Sequence, residues 1–384
     1  MQTMPPHVYL DHAATTPVSE SVLAAMMPYF CDYYGNPSAI HTLGAASRDA
    51  VENARESVAS ALNARPEEIV FTSGGTEADN TAIRGAAFAG AGRHLLCSAV
   101  EHHAVLETME ALATRCGYAL DVVPVDRDGL VDPDEVARRI RPDTALVSIM
   151  HANNEVGSVQ PIGEIGTICR ARGVLFHTDA VQTFGKLPID VRSMGIDLLS
   201  VSGHKLYGPK GVGALYVRRG VKLERYQDGG EQERGRRAGT LNVPGIVGLG
   251  RAAEDAVAEM PAEAERLRRL RDTLIADVES RIDGARLSGP RACRLPGNAH
   301  FCIEGVQGES VLLALDGAGI YASAGSACSA GSVEPSHVLA AMGVARDLAR
   351  GAIRLTMGRA TTEDVVATVV QALSAAVRDI RRLA

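Results

Sequence analysis

The chain has 384 residues, of which 46% are hydrophobic and 22% are charged, a balance typical of folded globular proteins rather than disordered ones. The chain is longer than a typical domain with a single hydrophobic core, so we expect two domains. The formal net charge of -7 argues against a protein dedicated to binding nucleic acid.

Two further features of the sequence narrow the class of protein. No apolar run is long enough to span a membrane, and the N-terminus lacks a signal-peptide pattern, so we expect a cytoplasmic protein without membrane association. The 7 cysteines are scattered without C-x-x-C spacing, which predicts neither a disulfide framework nor a zinc site.

Apolar runs of strand length alternate with segments of helical periodicity through the first two thirds of the chain. A short extended arm (7–17) comes first. The predicted strands are 69–72, 94–97, 119–124, 144–150, 174–178, 197–201 and 213–217. The predicted helices are 18–29, 42–62, 75–85, 104–117, 133–140 and 163–172. This alternation predicts an α/β fold with a mostly parallel sheet flanked by helices, in which ligands bind at the carboxyl ends of the strands.

The sequence pattern changes near residue 244. A long, charge-rich helical tract (244–278) is predicted to carry the chain from one domain to the other. The rest reads as a smaller α+β unit with strands 298–303 and 320–322, a helix from 308, and helices 337–342 and 362–383. We therefore predict a large domain over 15–255, and a small domain over 256–384 that also includes the N-terminal arm 1–14.

Lys205 lies in a glycine-containing turn just after the predicted strand 197–201. A lysine desolvated at a strand end has a lowered pKa, and it can hold an aldehyde cofactor as a Schiff base. Most lysines simply lie in solvent, so this interpretation depends on the neighbouring motifs.

Two of those motifs fit the same cofactor. Gly74, Gly75 and Thr76 form a turn between a strand and a helix start, which suits a phosphate group about as well as it suits an ordinary helix cap. Asp179 ends an apolar strand, where an unpaired carboxylate would be costly to bury. A protonated pyridine nitrogen is its natural partner, although a helix-capping role is the alternative. Together with Lys205, these motifs indicate pyridoxal phosphate.

A histidine pair and a cysteine complete the candidate chemistry. Either His102 or His103, which follow the strand 94–97, could stack on a flat ring and move protons. Cys328 lies among glycine, alanine and serine residues in 321–332, a context that suits a thiolate nucleophile on a mobile loop. The alternative for Cys328 is an incidental residue in a spacer.

Seven segments, taken together, resemble the cysteine desulfurases, which belong to the class V branch of fold-type I pyridoxal phosphate enzymes. The segments are 9–17 (YLDHAATTP), 35–41 (GNPSAIH), 74–77 (GGTE), 153–157 (NNEVG), 177–182 (HTDAVQ), 202–205 (SGHK) and 236–240 (RRAGT). The cysteine loop, with 334–337 after it, is similar to that of the NifS/IscS-type group. The resemblance extends from about residue 8 to about residue 375.

The resemblance implies a homodimeric enzyme that uses pyridoxal 5'-phosphate to remove sulfur from L-cysteine, giving L-alanine. It implies Lys205 as the Schiff-base lysine, His102 as the histidine stacked on the ring, and Cys328 as the residue that receives the sulfur and passes it to an acceptor protein. Arg354, helped by Asn36, would bind the substrate carboxylate. The implied cofactor-binding residues are Gly75, Thr76, Asn154, Asp179, Gln182, Ser202, His204, Lys205 and, from the partner subunit, Thr240.

Other functions remain open at this point. A selenocysteine lyase would use the same scaffold and cofactor, and a sulfur-relay or assembly scaffold would mainly bind partners. A class V aminotransferase is less favoured because transamination gives no reason for Cys328. The acceptor could serve iron–sulfur cluster assembly, tRNA thiolation or DNA phosphorothioation. We expect no direct contact of this chain with nucleic acid and no bound metal.

Overall fold

A seven-stranded sheet forms the centre of the computed structural model, which describes residues 7–325 and 336–383. Its strands are β2 (Ile69–Thr72), β3 (His94–Ser98), β4 (Ala119–Val123), β5 (Thr144–Ser148), β6 (Leu175–Asp179), β7 (Leu198–Ser202) and β8 (Gly213–Val217). Their order across the sheet is β2-β8-β7-β6-β5-β3-β4. Only β8 runs antiparallel to its neighbours, so the predicted mostly parallel α/β sheet is confirmed.

Helices cover both faces of this sheet because its strands carry apolar side chains on both faces. In β2, Ile69 and Phe71 pack into the hydrophobic cluster on one face, and Val70 packs into the cluster on the other. The helices of the first face are α3 (Thr42–Ala61), α6 (Pro133–Arg139), α7 (Ile162–Arg172) and the first part of α8 (Val243–Arg281). Those of the second face are α4 (Gly75–Ala89) and α5 (His103–Cys116).

A second, smaller unit packs around a sheet of three antiparallel strands in the order β11-β12-β14. Its elements are β11 (Ala285–Leu287), β12 (Asn298–Ile303), α9 (Gly308–Gly317), β13 (Ile320–Tyr321), α10 (His337–Ala341), α11 (Arg346–Ala349), β14 (Ala352–Thr356) and α12 (Glu363–Leu383). The N-terminal arm joins this unit, because β1 (Val8–Tyr9) pairs with β13 and Leu10 is buried in the same cluster.

Helix α8 connects the two units. Its buried residues belong to the large-sheet cluster as far as Ala256 and to the small-unit cluster from Leu270 onward. The predicted boundary at residues 255/256 therefore falls inside this helix, and the exact division into domains stays a prediction.

Some elements differ from the sequence-based expectation. The single helix expected over 18–29 is two helices, α1 (Glu20–Met26) and α2 (Pro28–Cys31), because Pro28 has no N–H to continue the helical ladder. The two-residue strands β9 (Glu231–Gln232) and β10 (Arg237–Ala238) and the short α11 were not predicted, since elements of this length carry no periodicity. Within the residues that the structure describes, no helix has both the length and the apolar character needed to cross a membrane.

A buried ion pair fixes the β9–β10 segment to the large sheet. Arg55 of α3 donates to both carboxylate oxygens of Glu233, at 2.8 Å each, and Glu233 also accepts from the backbone N–H of Phe71. We expect Arg55→Met to lower the free energy of unfolding by about 3–5 kcal/mol, because it leaves the Glu233 carboxylate buried without its partner. Urea denaturation followed by circular dichroism measures this loss.

The matched control is Arg138→Met, which removes an exposed arginine paired with Glu135 at 2.8 Å. Its expected cost is below about 1 kcal/mol, because exposed pairs contribute little. Equal losses in the two variants would contradict the structural role given to Arg55.

Candidate active site

The predicted site residues follow strands that end at the same edge of the large sheet. Asp179 ends β6 and Ser202 ends β7, two neighbouring parallel strands. His102 follows β3, and α4 begins just after β2. The cavity at this edge, with its open mouth, encloses about 1120 Å³. It is lined by ten of the predicted site residues: Gly75, Thr76, His102, Asn154, Asp179, Gln182, Ser202, His204, Lys205 and Arg354.

Two of the other three predicted residues lie elsewhere in this chain. Asn36 and Thr240 are exposed and line a separate surface cavity in this chain. Cys328 lies outside the described residues, so its role stays a prediction. Gly325, just before its segment, and His337, the second described residue after it, both line the active-site cavity.

Lys205 lies in a short helical turn directly after β7 and faces the cavity. Its Nζ donates to the backbone carbonyl oxygens of Ala13 and Ala14, at 2.7 and 2.5 Å. The N-terminal arm therefore orients the amine, a contact that the sequence pattern did not predict.

The carboxylates near Lys205 are buried, which makes a cationic ligand favourable. Burial raises the pKa of Asp179 to about 6, although Val181 N–H donates to Asp179 at 2.8 Å and Lys205 lowers this pKa. Asp79 of α4 also lines the cavity, and burial followed by repulsion from Asp179 raises its pKa well above the usual value. Its Oδ1 accepts no hydrogen bond from the described residues. A protonated pyridine nitrogen fits such a site.

An amide oxygen and a helix start provide the other contacts that a phosphorylated pyridine needs. Gln182 donates from Nε2 to Ala13 at 3.0 Å, whereas its buried Oε1 has no partner among the described residues and can accept from a ring hydroxyl. The first N–H groups of α4 follow Gly74, whose φ of 154° favours glycine. The residues present therefore fit pyridoxal phosphate.

The two adjacent histidines differ in their surroundings. The Nδ1 of His102 accepts from the N–H of Ala104 at 3.1 Å, so the neutral ring carries its proton on Nε2. Burial, followed by the charge of Lys205, lowers the pKa of His102 to about 4. The His103 ring lies 4.8 Å from the His337 ring, centroid to centroid, and 3.5 Å from Glu107. Both histidines line the cavity.

Arg354 brings a guanidinium from β14 of the small unit into the cavity. It is almost fully buried and donates to Asp11 at 2.6 Å and to the carbonyl oxygens of Asn154 and Gly325 at 2.9 and 3.0 Å. Its Nε has no partner among the described residues. A planar donor of this kind suits a carboxylate ligand.

Some contributing residues were missed by sequence reasoning. Asp79 lies four residues after Gly75 on α4, so helical spacing could have placed it on the same face. Glu155 accepts from Ser336 at 2.6 Å and lies beside Gly325, a contact that no sequence pattern predicts.

The fold and the site define a pyridoxal-phosphate enzyme, and the family model for aminotransferase class-V proteins matches residues 8–369. The cysteine desulfurase IscS of Dictyoglomus turgidum is 50% identical over 378 residues, which cover 98% of this chain and 96% of that protein. A solved structure of a NifS-like protein superimposes with a TM-score of 0.91 at 39% identity, covering 97% of this chain and all of the other. The structure titled SspA in complex with cysteine has a TM-score of 0.80 at 39% identity, with coverage of 91% and 98%.

The chain therefore belongs to the class-V aminotransferase family, as a member of its cysteine desulfurase group. The enzymes of this family depend on pyridoxal 5'-phosphate, so the predicted family, fold and cofactor are confirmed.

Gly213, at the start of β8, lets this strand approach the Gly74 turn. A Cβ at position 213 would lie 2.5 Å from the carbonyl oxygen of Val201 and 2.8 Å from the Cα of Gly74. We expect Gly213→Ala to displace the turn and to weaken binding of pyridoxal phosphate about tenfold or more, because overpacking of this size costs about 1–3 kcal/mol. Titration of the apoenzyme with the cofactor, followed by absorbance, measures the loss.

Gly163→Ala is the matched control, because a Cβ there meets no atom within 4 Å. It should leave cofactor affinity unchanged. Circular dichroism shows whether Gly213→Ala folds. If the folded variant binds the cofactor as tightly as Gly163→Ala does, the close approach of β8 to the Gly74 turn is not required for cofactor binding.

Proposed function

We propose that this chain is a cysteine desulfurase that removes sulfur from L-cysteine, releases L-alanine and leaves a persulfide on Cys328. The observation that carries the proposal is one cavity that contains a strand-end lysine, a buried carboxylate and a buried arginine: Lys205, Asp179 and Arg354. The relatives named cysteine desulfurase support the activity, and the relative whose structure holds cysteine supports the substrate.

Each side chain has a task in this proposal. When bound, pyridoxal phosphate supplies an aldehyde that condenses with amines and a ring that takes up electrons from the substrate Cα. Lys205 holds the cofactor and moves the proton at Cα, and Asp179 keeps the pyridine nitrogen protonated. Arg354 orients the substrate carboxylate. Asp11, which accepts from Arg354 at 2.6 Å, holds the guanidinium until the substrate binds. His102, a neutral imidazole that lines the cavity, would hold the face of the ring.

In this proposal Cys328 transfers the sulfur, whereas Lys205 transfers the proton. The Cys328 thiolate attacks the substrate Sγ, and a sulfur–sulfur bond forms as the Cβ–Sγ bond breaks. The electron pair left on Cβ takes up a proton, which yields alanine. The persulfide then passes to an acceptor protein. The described cysteines are all free thiols, which supports a reducing compartment and hence a cytoplasmic location.

A pair of variants tests these assignments. Lys205→Ala should lose the absorbance band of the bound cofactor and form no alanine. Cys328→Ser should keep the band and still respond spectrally to L-cysteine, but form alanine at least about a hundredfold more slowly, because the sulfur has no acceptor. Alanine and reductant-released sulfide are the quantities measured.

Cys116→Ser, which removes an exposed free cysteine, is the control and should behave as wild type. Normal alanine formation by Cys328→Ser would contradict the assignment of the nucleophile. If this variant instead retains turnover of selenocysteine alone, the chain is a selenocysteine lyase.

We propose further that two copies form a homodimer through the surface around α1 and α2. This surface exposes large apolar side chains, which are usual where a partner binds. They are Leu23, Met27, Phe30, Tyr33, Tyr34 and Ile40. Asn36 and Thr240 lie on the same surface, at a cavity that they share with Tyr34. In the dimer, Thr240 reaches the phosphate in the partner's site, and Asn36 contributes to binding of the substrate carboxylate.

The double variant Tyr34→Asp, Ile40→Asp should sediment as a monomer, because it would bury two charges in the interface. It should also bind the cofactor more weakly, because Thr240 is then absent from the neighbouring site. Leu313→Asp, at an exposed apolar residue of α9, is the control and should stay dimeric. A monomeric wild type, or a dimeric double variant, would refute this interface.

A further inference from the structure

A second cavity adjoins the candidate active site, and Lys205 lies between the two. Both cavities are lined by Ala13, Gln182 and Lys205. The second cavity, here called the rear cavity, encloses about 770 Å³ with its mouth. Its lining is mainly apolar and includes Leu206, Ala256, Met260, Leu267, Leu295 and Met357. Such a lining strengthens electrostatic interactions between charges that face the cavity.

Lys186 places an amine in the rear cavity. It lies in the helical turn that follows β6, in which Phe184 N–H donates to Ala180 and Leu187 N–H donates to Thr183. Lys186 comes four residues after Gln182, so the two side chains lie on the same face of this turn, and both line the rear cavity. In the part of the chain that the structure describes (7–325 and 336–383), no hydrogen bond or ion pair is made by the Lys186 amine.

The acidic residues of the rear cavity are already neutralised by arginines. Glu259 pairs with Arg359 at 2.7 Å, and Glu263 pairs with Arg266 at 2.8 Å. Neither carboxylate contacts Lys186. The Lys186 charge is therefore not cancelled by the acids that line the same cavity.

His12 and Tyr207, two further titratable residues of the rear cavity, are uncharged at neutral pH. Burial lowers the pKa of His12, and Lys186 lowers it further, while the His12 Nδ1 lies 2.9 Å from the carbonyl oxygen of Thr356. Burial raises the pKa of Tyr207, whose hydroxyl oxygen accepts from the Arg359 N–H at 2.8 Å. Across Lys205, on the active-site side, Asp179 provides the opposing negative charge.

The two lysines interact electrostatically. Burial, and then the charge of Lys205, lower the pKa of Lys186 to about 7. Because coupling between two sites is reciprocal, a charged Lys186 disfavours a proton on the Lys205 nitrogen by the same free energy. Lys186 also contributes to the lowered pKa of His204, which lines the active-site cavity.

We propose that Lys186 is a positioning residue whose charge, acting across the rear cavity, keeps the Lys205 nitrogen in the neutral form that reacts with aldehydes and accepts protons. The inference rests on the proposed function, in which Lys205 holds the cofactor. A neutral amine is the nucleophilic form of lysine, and a nearby second cation is an established way to favour it. Asp179 opposes this effect from the other side, so the two residues together set the proton affinity of Lys205.

The test is a pH titration of the holoenzyme, in which the absorbance of the bound cofactor reports protonation of the Lys205 nitrogen. Lys186→Met should raise the midpoint by an amount on the order of one pH unit, because a like charge that faces the same apolar cavity no longer disfavours the proton on Lys205. Lys186→Arg keeps a charge at every pH of the titration, so it should leave the midpoint at or below the wild-type value.

Lys222→Met, which removes an exposed lysine, is the matched control and should not move the midpoint. The inference is overturned if Lys186→Met leaves the midpoint within the range of the control, or if Lys186→Arg raises it as much as Lys186→Met does. If Lys186→Met does not fold, Lys186→Gln takes its place with the same expected rise. A wild-type holoenzyme without a Lys205-dependent band would instead refute the proposed function.

Discussion

The burial of a carboxylate and an amine at the ends of two neighbouring parallel strands is the constraint on which this site depends. Asp179 ends β6, and the turn that carries Lys205 follows β7; these two strands are paired side by side in the sheet. Burial disfavours the charged form of Asp179, and the Lys205 charge offsets that cost only in part. A cationic ring that binds there satisfies the carboxylate, so cofactor binding stabilises the folded state as well as enabling the chemistry.

The active-site cavity is lined by residues of the small unit and the N-terminal arm as well as by residues that follow the strands of the large sheet. Two backbone carbonyl groups of the arm accept hydrogen bonds from the Lys205 amine. Asp11 of the same arm accepts a hydrogen bond from the Arg354 guanidinium. The arm pairs with β13, so it connects the lysine, the arginine and the strand just before the cysteine segment. A change in how the two units pack would therefore alter the cofactor side and the substrate side of the cavity together.

The sequence predicted the strands of the large sheet well, because strands buried on both faces read as continuous apolar runs. The sequence also predicted that Lys205 and Asp179 belong to the site, because charged residues at the ends of such apolar runs are unusual. Gly213 and Lys186 could not be predicted in the same way, since their roles depend on how closely separate segments approach in the fold. The assignments of Asn36 and Thr240 rest on resemblance, and they stay predictions that depend on a second copy of the chain.

In the proposed mechanism, Lys205 moves the proton at the substrate Cα and Cys328 takes the sulfur. Peptide mass spectrometry after a single turnover of the holoenzyme with L-cysteine, without reductant, tests it most directly. The peptide containing Cys328 should gain the mass of one sulfur atom, in step with formation of one alanine. Alanine formed without that gain, or a gain on another cysteine, would contradict it.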